Sequence, residues 1–179
     1  VFVNKKHENR LRKSFESIKD LLSRYFLGLL LQINILLLIY SFVLFAFGIK
    51  NAFIIAFLCS LLNLIPYIGP IIAGILMIIL TMTSNLDADF SSIILPKTIY
   101  VMIGFIIGQL IDNLFSQPYI FSKSVKSHPL EIFIVILIGG TLFGPIGMIV
   151  AIPFYTSLKV ILKEFLSENR IVKSLTKNI

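Results

Sequence analysis

Long runs without any charged residue dominate the chain. No Asp, Glu, Lys or Arg occurs in residues 26–49, 51–86, 98–111 or 132–158. A helix needs about 20 apolar residues to cross the hydrocarbon core of a bilayer. Because these runs are too long and too apolar for the core of a soluble domain, the pattern predicts an all-α integral membrane protein, a multi-pass helical bundle.

Two of these runs predict simple spanning helices, over residues 26–47 and 97–115. The run 52–82 is longer than one ordinary span and is interrupted by polar and helix-breaking residues. They are Asn63, Pro66, Gly69 and Pro70. Proline lacks an amide donor and clashes with the preceding helical turn. We therefore expect a non-helical break over residues 63–70.

A second interrupted run covers residues 130–165. Its helix-breaking residues are Gly139, Gly140, Gly144, Pro145, Gly147 and Pro153. They predict a buried break over residues 140–147. Each arm on either side of the two breaks is near or below the minimum length for a span, which is about 17 residues. The two segments are therefore predicted to be hairpins that need not cross the membrane fully.

The two breaks share a short pattern, Gly69-Pro70 in one and Gly144-Pro145 in the other. With both ends of the chain in the cytoplasm, they would enter the membrane from opposite sides. Gly/Pro-interrupted segments in inverted orientation are typical of a transporter's binding site. The match is short, so a chance similarity remains an alternative to an inverted repeat.

The ends of the chain are polar and basic. Residues 1–25 predict an amphipathic helix whose apolar positions recur at helical spacing, and it either lies on the cytoplasmic membrane face or packs on a neighbour. A solvated linker helix is the alternative. Residues 26–166 form the predicted transmembrane domain, and residues 167–179 a cytoplasmic basic tail.

Composition and charge support a membrane protein and argue against a nucleic-acid-binding one. Hydrophobic residues make up 57% of the chain and charged residues 14%, whereas the net charge is +7. The basic residues cluster within 5–24 and 159–177, beside apolar runs. This is the bias of cytoplasmic segments, for which anionic lipids are the natural partner. We expect no nucleic acid among the partners.

Catalytic and cofactor motifs are missing from the sequence, so we expect neither an enzyme nor a cofactor. Gly139 and Gly144 have the spacing of a phosphate-binding loop, but Pro145-Ile146 stands where that loop needs Lys and Ser or Thr. The single Cys59 lies in an apolar run, which indicates packing. His128 has no second metal-ligand candidate nearby, so no metal site is predicted.

The predicted helix 97–115 carries a carboxylate. Gly104 and Gly108 form a small-residue face that allows close helix approach, and Asp112 lies one turn further along that face. Charged groups inside membrane segments usually face a cavity and often handle protons or cations. The alternative is a hydrated residue at the cytoplasmic helix end. Gln32 and Asn34 on the first span are expected to form interhelical hydrogen bonds.

Several blocks resemble the autoinducer-2 exporter family of bacterial membrane proteins. They are residues 24–28 (RYFLG), 63–73 (NLIPYIGPIIA), 109–113 (QLIDN), 117–118 (QP), 124–130 (SVKSHPL) and 139–153 (GGTLFGPIGMIVAIP). Family members are longer than this chain, which begins with Val1, so the resemblance implies a C-terminal portion. One departure is that Ile75 and Leu76 stand where the family often has a second proline after the Gly-Pro motif.

The resemblance implies a secondary transporter in the bacterial cytoplasmic membrane that moves a small polar solute with an ion gradient. A sodium/proton antiporter and a membrane scaffold without transport are the alternatives. The partners are the bilayer and either the solute or a monovalent cation or proton, and homo-oligomerisation stays open. The expected transport pathway comprises Asn63, Pro66, Gly69, Pro70, Gln109, Asp112, Asn113, Gly140, Gly144 and Gly147.

The charge pattern predicts the topology. Both ends and the loop with Lys123 and Lys126 should face the cytoplasm, and Asp87 and Asp89 should face outward. In a Cys59→Ala background, Asp87→Cys should react with an impermeant maleimide in intact cells, and Lys126→Cys only after permeabilisation. The reverse labelling order would show that the topology is the opposite of the predicted one.

Overall fold

A computed structural model describes residues 5–84, 86, 88–116 and 128–165. Throughout these residues the regular elements are helical. They are α1 (Lys5–Ala46), α2 (Ala52–Leu62), α3 (Ile68–Thr83), α4 (Leu95–Ile111) and α5 (Pro129–Phe165), with π-helical turns at Phe90–Ile94 and Asp112–Ser116. The chain forms two compact units, one from Gly28–Pro118 and one from Val1–Leu27 with Tyr119–Ile179.

Helix α1 runs without interruption through residues 25 and 26, where the sequence pattern predicts a change from an amphipathic helix to a span. Its end is well defined. The Gly48 amide donates to the Phe45 carbonyl and the Ile49 amide to the Leu44 carbonyl, at 3.0 Å each. Gly48 has φ 64°, which is the left-handed conformation that ends many helices in this way. The predicted end of the first span near residue 47 is therefore confirmed.

The first predicted break is confirmed and is shorter than expected, covering residues 63–67. Gly69 and Pro70 already belong to the first turn of α3. Amides in the first turn of a helix have no partner within it, so Pro70 costs no hydrogen bond there. Tyr67, just before α3, has φ 67°. The change of direction thus lies at Pro66 and Tyr67.

Helices α2 and α3 form a tight antiparallel hairpin. The Cys59 thiol lies 3.6 Å from the Ala73 carbonyl oxygen, and a β-carbon at Gly69 would collide with the Leu62 carbonyl. Helix α2 has 11 residues, which at 1.5 Å per residue gives about 16 Å. Since the hydrocarbon core is about 30 Å thick, α2 cannot cross it.

Helix α5 is also a hairpin, because Gly144 has φ 63° and ψ −151° and reverses the chain. The predicted break over residues 140–147 is therefore too wide, and Gly140 and Gly147 are helical. Pro153 also lies inside the second arm without ending it. The arms touch through glycine, since a β-carbon at Gly139 would lie 2.6 Å from the Gly147 carbonyl oxygen. Because the arms pack closely, both stay helical up to Gly144, the residue of α5 with a positive φ.

The core of the unit Gly28–Pro118 is apolar and joins four helices. Its buried residues are Leu36, Tyr40, Leu44, Ile49, Ala52, Ile55, Ala56, Cys59, Ala73, Met77, Val101 and Phe105. Asp89 starts the π-helical turn that precedes α4, and its carboxylate accepts from the Ser92 hydroxyl and amide at 2.8 Å. The Ser92 hydroxyl and then its amide hold the pKa of Asp89 below the ordinary value. Asp87, Lys123, Lys126 and residues 167–179 lie outside the described residues.

The outer surfaces are apolar. Phe42, for example, is 76% exposed and Phe143 is 74% exposed. Among the residues that the structure describes, three helices are long and apolar enough to span a membrane: Leu11–Ala46, Phe90–Ser116 and Leu130–Phe165. The last of these is the helix that Gly144 folds back. Such surfaces are stable in lipid and aggregate in water, so the prediction of an all-α multi-pass membrane protein is confirmed.

We predict that Gly69→Ala weakens the α2–α3 hairpin. The added methyl group meets the backbone of Leu62 and Asn63, which cannot rotate away, and overpacking of this kind costs about 1–3 kcal/mol. The buried thiol of Cys59, the single cysteine of the chain, reports unfolding when it reacts with a maleimide dye. Gly69→Ala should lower the temperature of that reaction in detergent.

Gly74→Ala on the same helix is the matched control. Its β-carbon would lie 3.2 Å from a ring carbon of Phe105, a side chain that can shift by a few tenths of an ångström. Gly74→Ala should therefore change the unfolding temperature much less. Equal effects of the two substitutions would contradict the close backbone approach at Gly69.

Candidate functional site

The site is built on a close approach between α1 and α4 in the unit Gly28–Pro118. A β-carbon at Gly104 would lie 2.5 Å from a methyl carbon of Val43, and one at Gly108 would lie 3.0 Å from the ring of Tyr40. Only glycine permits this separation. The predicted small-residue face of α4 is thus confirmed as a helix-packing face, and it carries Asp112 at its end.

Asp112 is fully buried, with 0% of its surface exposed. The Gln32 side-chain amide of α1 donates to its Oδ2 atom at 2.8 Å. The interhelical hydrogen bond expected for Gln32 is therefore confirmed, and its acceptor is the carboxylate. A hydrated helix-end position, the alternative interpretation of Asp112, does not fit a side chain without solvent contact.

The backbone also changes at Asp112, where α4 ends and the π-helical turn Asp112–Ser116 begins. A π-helical turn is wider than an α-helical one and is frequent at functional sites. Asn113, the next residue, is exposed. Asn113, which the sequence places in the expected pathway, therefore does not share the burial of Asp112, because successive residues of a helical turn point in different directions.

Gln109 connects three helices. Its Nε2 atom donates to the Tyr40 hydroxyl at 2.7 Å and to the Asn63 Oδ1 atom at 2.8 Å. Asn63 in turn donates to the Cys59 carbonyl at 2.8 Å. The side chain of Gln109 thus links α1 and α4 to the residue at which α2 ends.

The resulting polar cluster, defined as Gln32, Tyr40, Asn63, Gln109 and Asp112, is buried among apolar helices. Stacking on Phe105, with ring centroids 5.3 Å apart, holds the Tyr40 ring in place. The Gln109 Oε1 atom is buried and accepts no hydrogen bond within the described part of the chain. A carboxylate with amide and hydroxyl oxygens suits a proton, a monovalent cation or a polar solute.

Of the other predicted pathway residues, some lie near this cluster in the same unit and some do not. Pro66 and Gly69 are buried in the α2–α3 hairpin, and Pro70 is half-buried. Gly140, Gly144 and Gly147 belong to the other unit, in the α5 hairpin. No group of three His, Cys, Asp or Glu residues that could hold a metal ion occurs in residues 5–84, 86, 88–116 and 128–165.

Sequence reasoning missed Tyr40 and left Gln32 out of the predicted pathway. Both lie on the buried face of α1 at a spacing of eight residues, which places them two turns apart on one stripe. Asn34, which was expected to bond between helices, is exposed and donates to the Leu30 carbonyl of its own helix at 2.7 Å. The helical phase relative to Leu36 and Leu44 would have separated Gln32 from Asn34.

Known proteins resemble the chain along most of its length. A family model described as AI-2E family transporter matches residues 1–167. The putative transport protein YrrI of Bacillus subtilis is 32% identical over 83% of this chain, and YueF of the same organism is 32% identical over 90%. The AI-2 transport protein TqsA of Escherichia coli is 27% identical over 66% of the chain.

The matches cover 40% of YrrI, 40% of YueF and 32% of TqsA, so the chain spans less than half the length of these curated relatives. The family match nevertheless covers the spans, both hairpins and the polar cluster. The membrane-embedded fold and this match lead to one conclusion: the chain belongs to the AI-2E family of transporters.

Proposed function

We propose that this chain is part of a secondary transporter that moves a small polar solute across the bacterial cytoplasmic membrane with the energy of an ion gradient. In this proposal Asp112 binds the coupling ion or proton. The polar cluster around it contacts the solute or the ion. The pathway residues of the two breaks, Pro66, Gly69 and Pro70 in one and Gly140, Gly144 and Gly147 in the other, shape the two hairpins by which the chain enters the membrane.

The observation that carries the proposal is the burial of Asp112 between α1 and α4. A carboxylate inside a membrane segment costs about 2.5–3.5 kcal/mol at the helix centre on insertion scales. Packing alone would be served better by an apolar residue at the end of a glycine face. A buried carboxylate that accepts a hydrogen bond from a neutral amide instead suits the reversible binding of a proton or a cation.

The break at residues 63–67 supports a solute-contacting role. Non-helical backbone at membrane depth is tolerated where it is covered by protein or lines a cavity. The ends of α2 and α3 carry partial charges of opposite sign, which interact with polar solutes. The hydrogen bond from Gln109 to Asn63 joins this break to the helix that bears Asp112.

The name of one relative supports a choice of the first solute to test. TqsA is named an AI-2 transport protein, which makes a small polar molecule of that kind the first solute to test. The relatives named here come from Bacillus subtilis and Escherichia coli. The basic clusters at both ends of the chain also support a cytoplasmic membrane with these ends inside.

A sodium/proton antiporter is the second candidate. It is favoured by the Gln109 Oε1 atom, a buried oxygen without a hydrogen bond in the described part of the chain. Together with the Asp112 carboxylate, which is one helical turn away, it offers hard oxygen ligands that suit a monovalent cation. This function would need no organic solute.

We predict that Asp112→Asn abolishes ion-coupled flux and leaves folding intact. Asparagine keeps the size and the hydrogen-bonding capacity of the side chain but does not bind a proton or neutralise a cation. The measurement is uptake by liposomes that contain the full-length protein, under an imposed sodium or proton gradient. AI-2-like solutes, sodium and protons are followed in parallel.

The matched control is Asp20→Asn, which removes an exposed carboxylate whose partner is Arg24 one turn away. It should transport at the wild-type rate. Sodium-dependent proton movement without solute flux would favour the antiporter. Wild-type flux in Asp112→Asn across a range of pH would refute Asp112 as the coupling group. If the wild-type protein itself showed no flux of any kind, the scaffold alternative would be favoured.

We also predict that Gln32→Leu lowers the flux without abolishing it. The carboxylate remains, but it loses a charge-assisted hydrogen bond worth about 1.5–3 kcal/mol, which orients it. Asn34→Leu changes an exposed amide of the same helix and should leave the flux unchanged. Equal flux in both variants would show that the Gln32 contact plays no part in transport.

A further inference from the structure

A second, partly buried polar cluster lies in the α5 hairpin, far along both arms from Gly144. The Lys159 ammonium of the second arm donates to the Glu131 Oε2 atom of the first arm at 2.8 Å. The Tyr155 hydroxyl donates to the same oxygen at 3.0 Å. The ammonium also lies 5.0 Å from the centre of the Tyr155 ring. These contacts join the two arms at the open end of the hairpin, here called its base.

The arms are held differently near the tip. Gly144 joins them covalently, and the backbones approach so closely that a β-carbon at Gly139 would lie 2.9 Å from the Ala151 β-carbon. These contacts contain no charge. The tip is therefore fixed by the chain and by packing, whereas the base is closed by a salt bridge and a hydroxyl.

A groove runs along one side of the hairpin. Its volume is about 550 Å³, and apolar residues of both arms line it, among them Val135, Leu142, Ile146, Val150, Phe154 and Leu158. The groove is an apolar surface of the hairpin that reaches from Leu158 to the tip.

The salt bridge is also asymmetric in exposure. The Lys159 side chain is 4% exposed and the Glu131 side chain 38% exposed. In surroundings of low polarity, a well-packed apolar pair would hold two helices as firmly as an ion pair, or more firmly. A charged pair differs from an apolar pair in one respect. When the charged pair separates, water or a cation can reach the exposed Glu131 carboxylate and stabilise its charge.

We propose that the Glu131–Lys159 pair is a releasable closure of the α5 hairpin. The base opens when Glu131 moves away from Lys159, and Gly144 serves as the hinge. Glu131, Tyr155 and Lys159 are thus positioning residues, which set the separation of the two arms during the transport cycle. The role of the opening in a transport cycle rests on the proposed transport function. The opening itself depends only on the hairpin.

Distance measurements by pulsed electron paramagnetic resonance test the opening directly. Spin labels are attached at Ile134→Cys and Ile161→Cys, which are exposed on the first and second arm, in a Cys59→Ala background. The full-length protein is reconstituted in liposomes. The wild-type pair should give two distance populations, and Glu131→Gln, which removes the charge of one partner, should increase the longer one.

Glu131→Leu/Lys159→Met separates a releasable closure from a purely structural contact. This apolar pair should keep the protein folded, leave only the short distance and lower the flux by about tenfold or more, since flux scales with the open population. The matched control is Arg12→Gln/Glu16→Gln, which removes an exposed salt bridge of the same unit and should change neither readout.

Wild-type distances and wild-type flux in the apolar variant would overturn the proposal, because the pair would then serve packing alone. A single short distance in an actively transporting wild-type protein would overturn it as well. Two distances in a wild-type protein that moves no solute would instead support the closure and count against the proposed transport function.

Discussion

The fit of α4 against α1 is the constraint on which the unit Gly28–Pro118 depends. Gly104 and Gly108 remove two side chains from α4, and Val43 and Tyr40 occupy the space. Only at this short separation can Gln32 reach the Asp112 carboxylate. The surrounding helices present apolar side chains, and lipid surrounds the helices. A polar group that forms no hydrogen bond to a protein partner here therefore cannot form one to water instead.

The same close approach brings side chains of the polar cluster on α1 and α4 within hydrogen-bonding distance. Gln109 contacts Tyr40 of α1 and Asn63 at the end of α2 through one nitrogen atom. Each of these contacts crosses between elements, so the cluster fixes the position of the α2–α3 hairpin as well as that of the carboxylate. Packing and candidate chemistry therefore depend on the same few atoms.

The two hairpins reverse the chain by different means. Between α2 and α3 the reversal takes the residues 63–67 and uses Pro66 and the positive φ of Tyr67. In α5 a single residue, Gly144, reverses the chain between two helical arms. A side chain at Gly69 or at Gly147 would collide with the opposite backbone, so in each hairpin glycine sets the distance between the arms. The first hairpin adds an amide cluster at its tip, and the second a salt bridge at its base.

The sequence by itself determined the class of the protein, the number of apolar segments and the approximate places where they break. These features depend on residues close together in the chain: uncharged runs, prolines, glycines and the positions of charges. The small-residue face of α4 was also predictable, because Gly104, Gly108 and Asp112 are spaced by single helical turns.

Contacts between distant residues were decided by the tertiary structure alone. Gln32 and Asp112 are 80 positions apart, and Gln109 and Tyr40 are 69 apart, so no local pattern pairs them. Asn34 and Asn113 resembled site residues by type, yet each lies on an outward face. The width of the break in α5 was likewise unpredictable. Local propensity treats every glycine of the segment as helix-breaking, whereas the packing of the arms keeps every glycine except Gly144 helical.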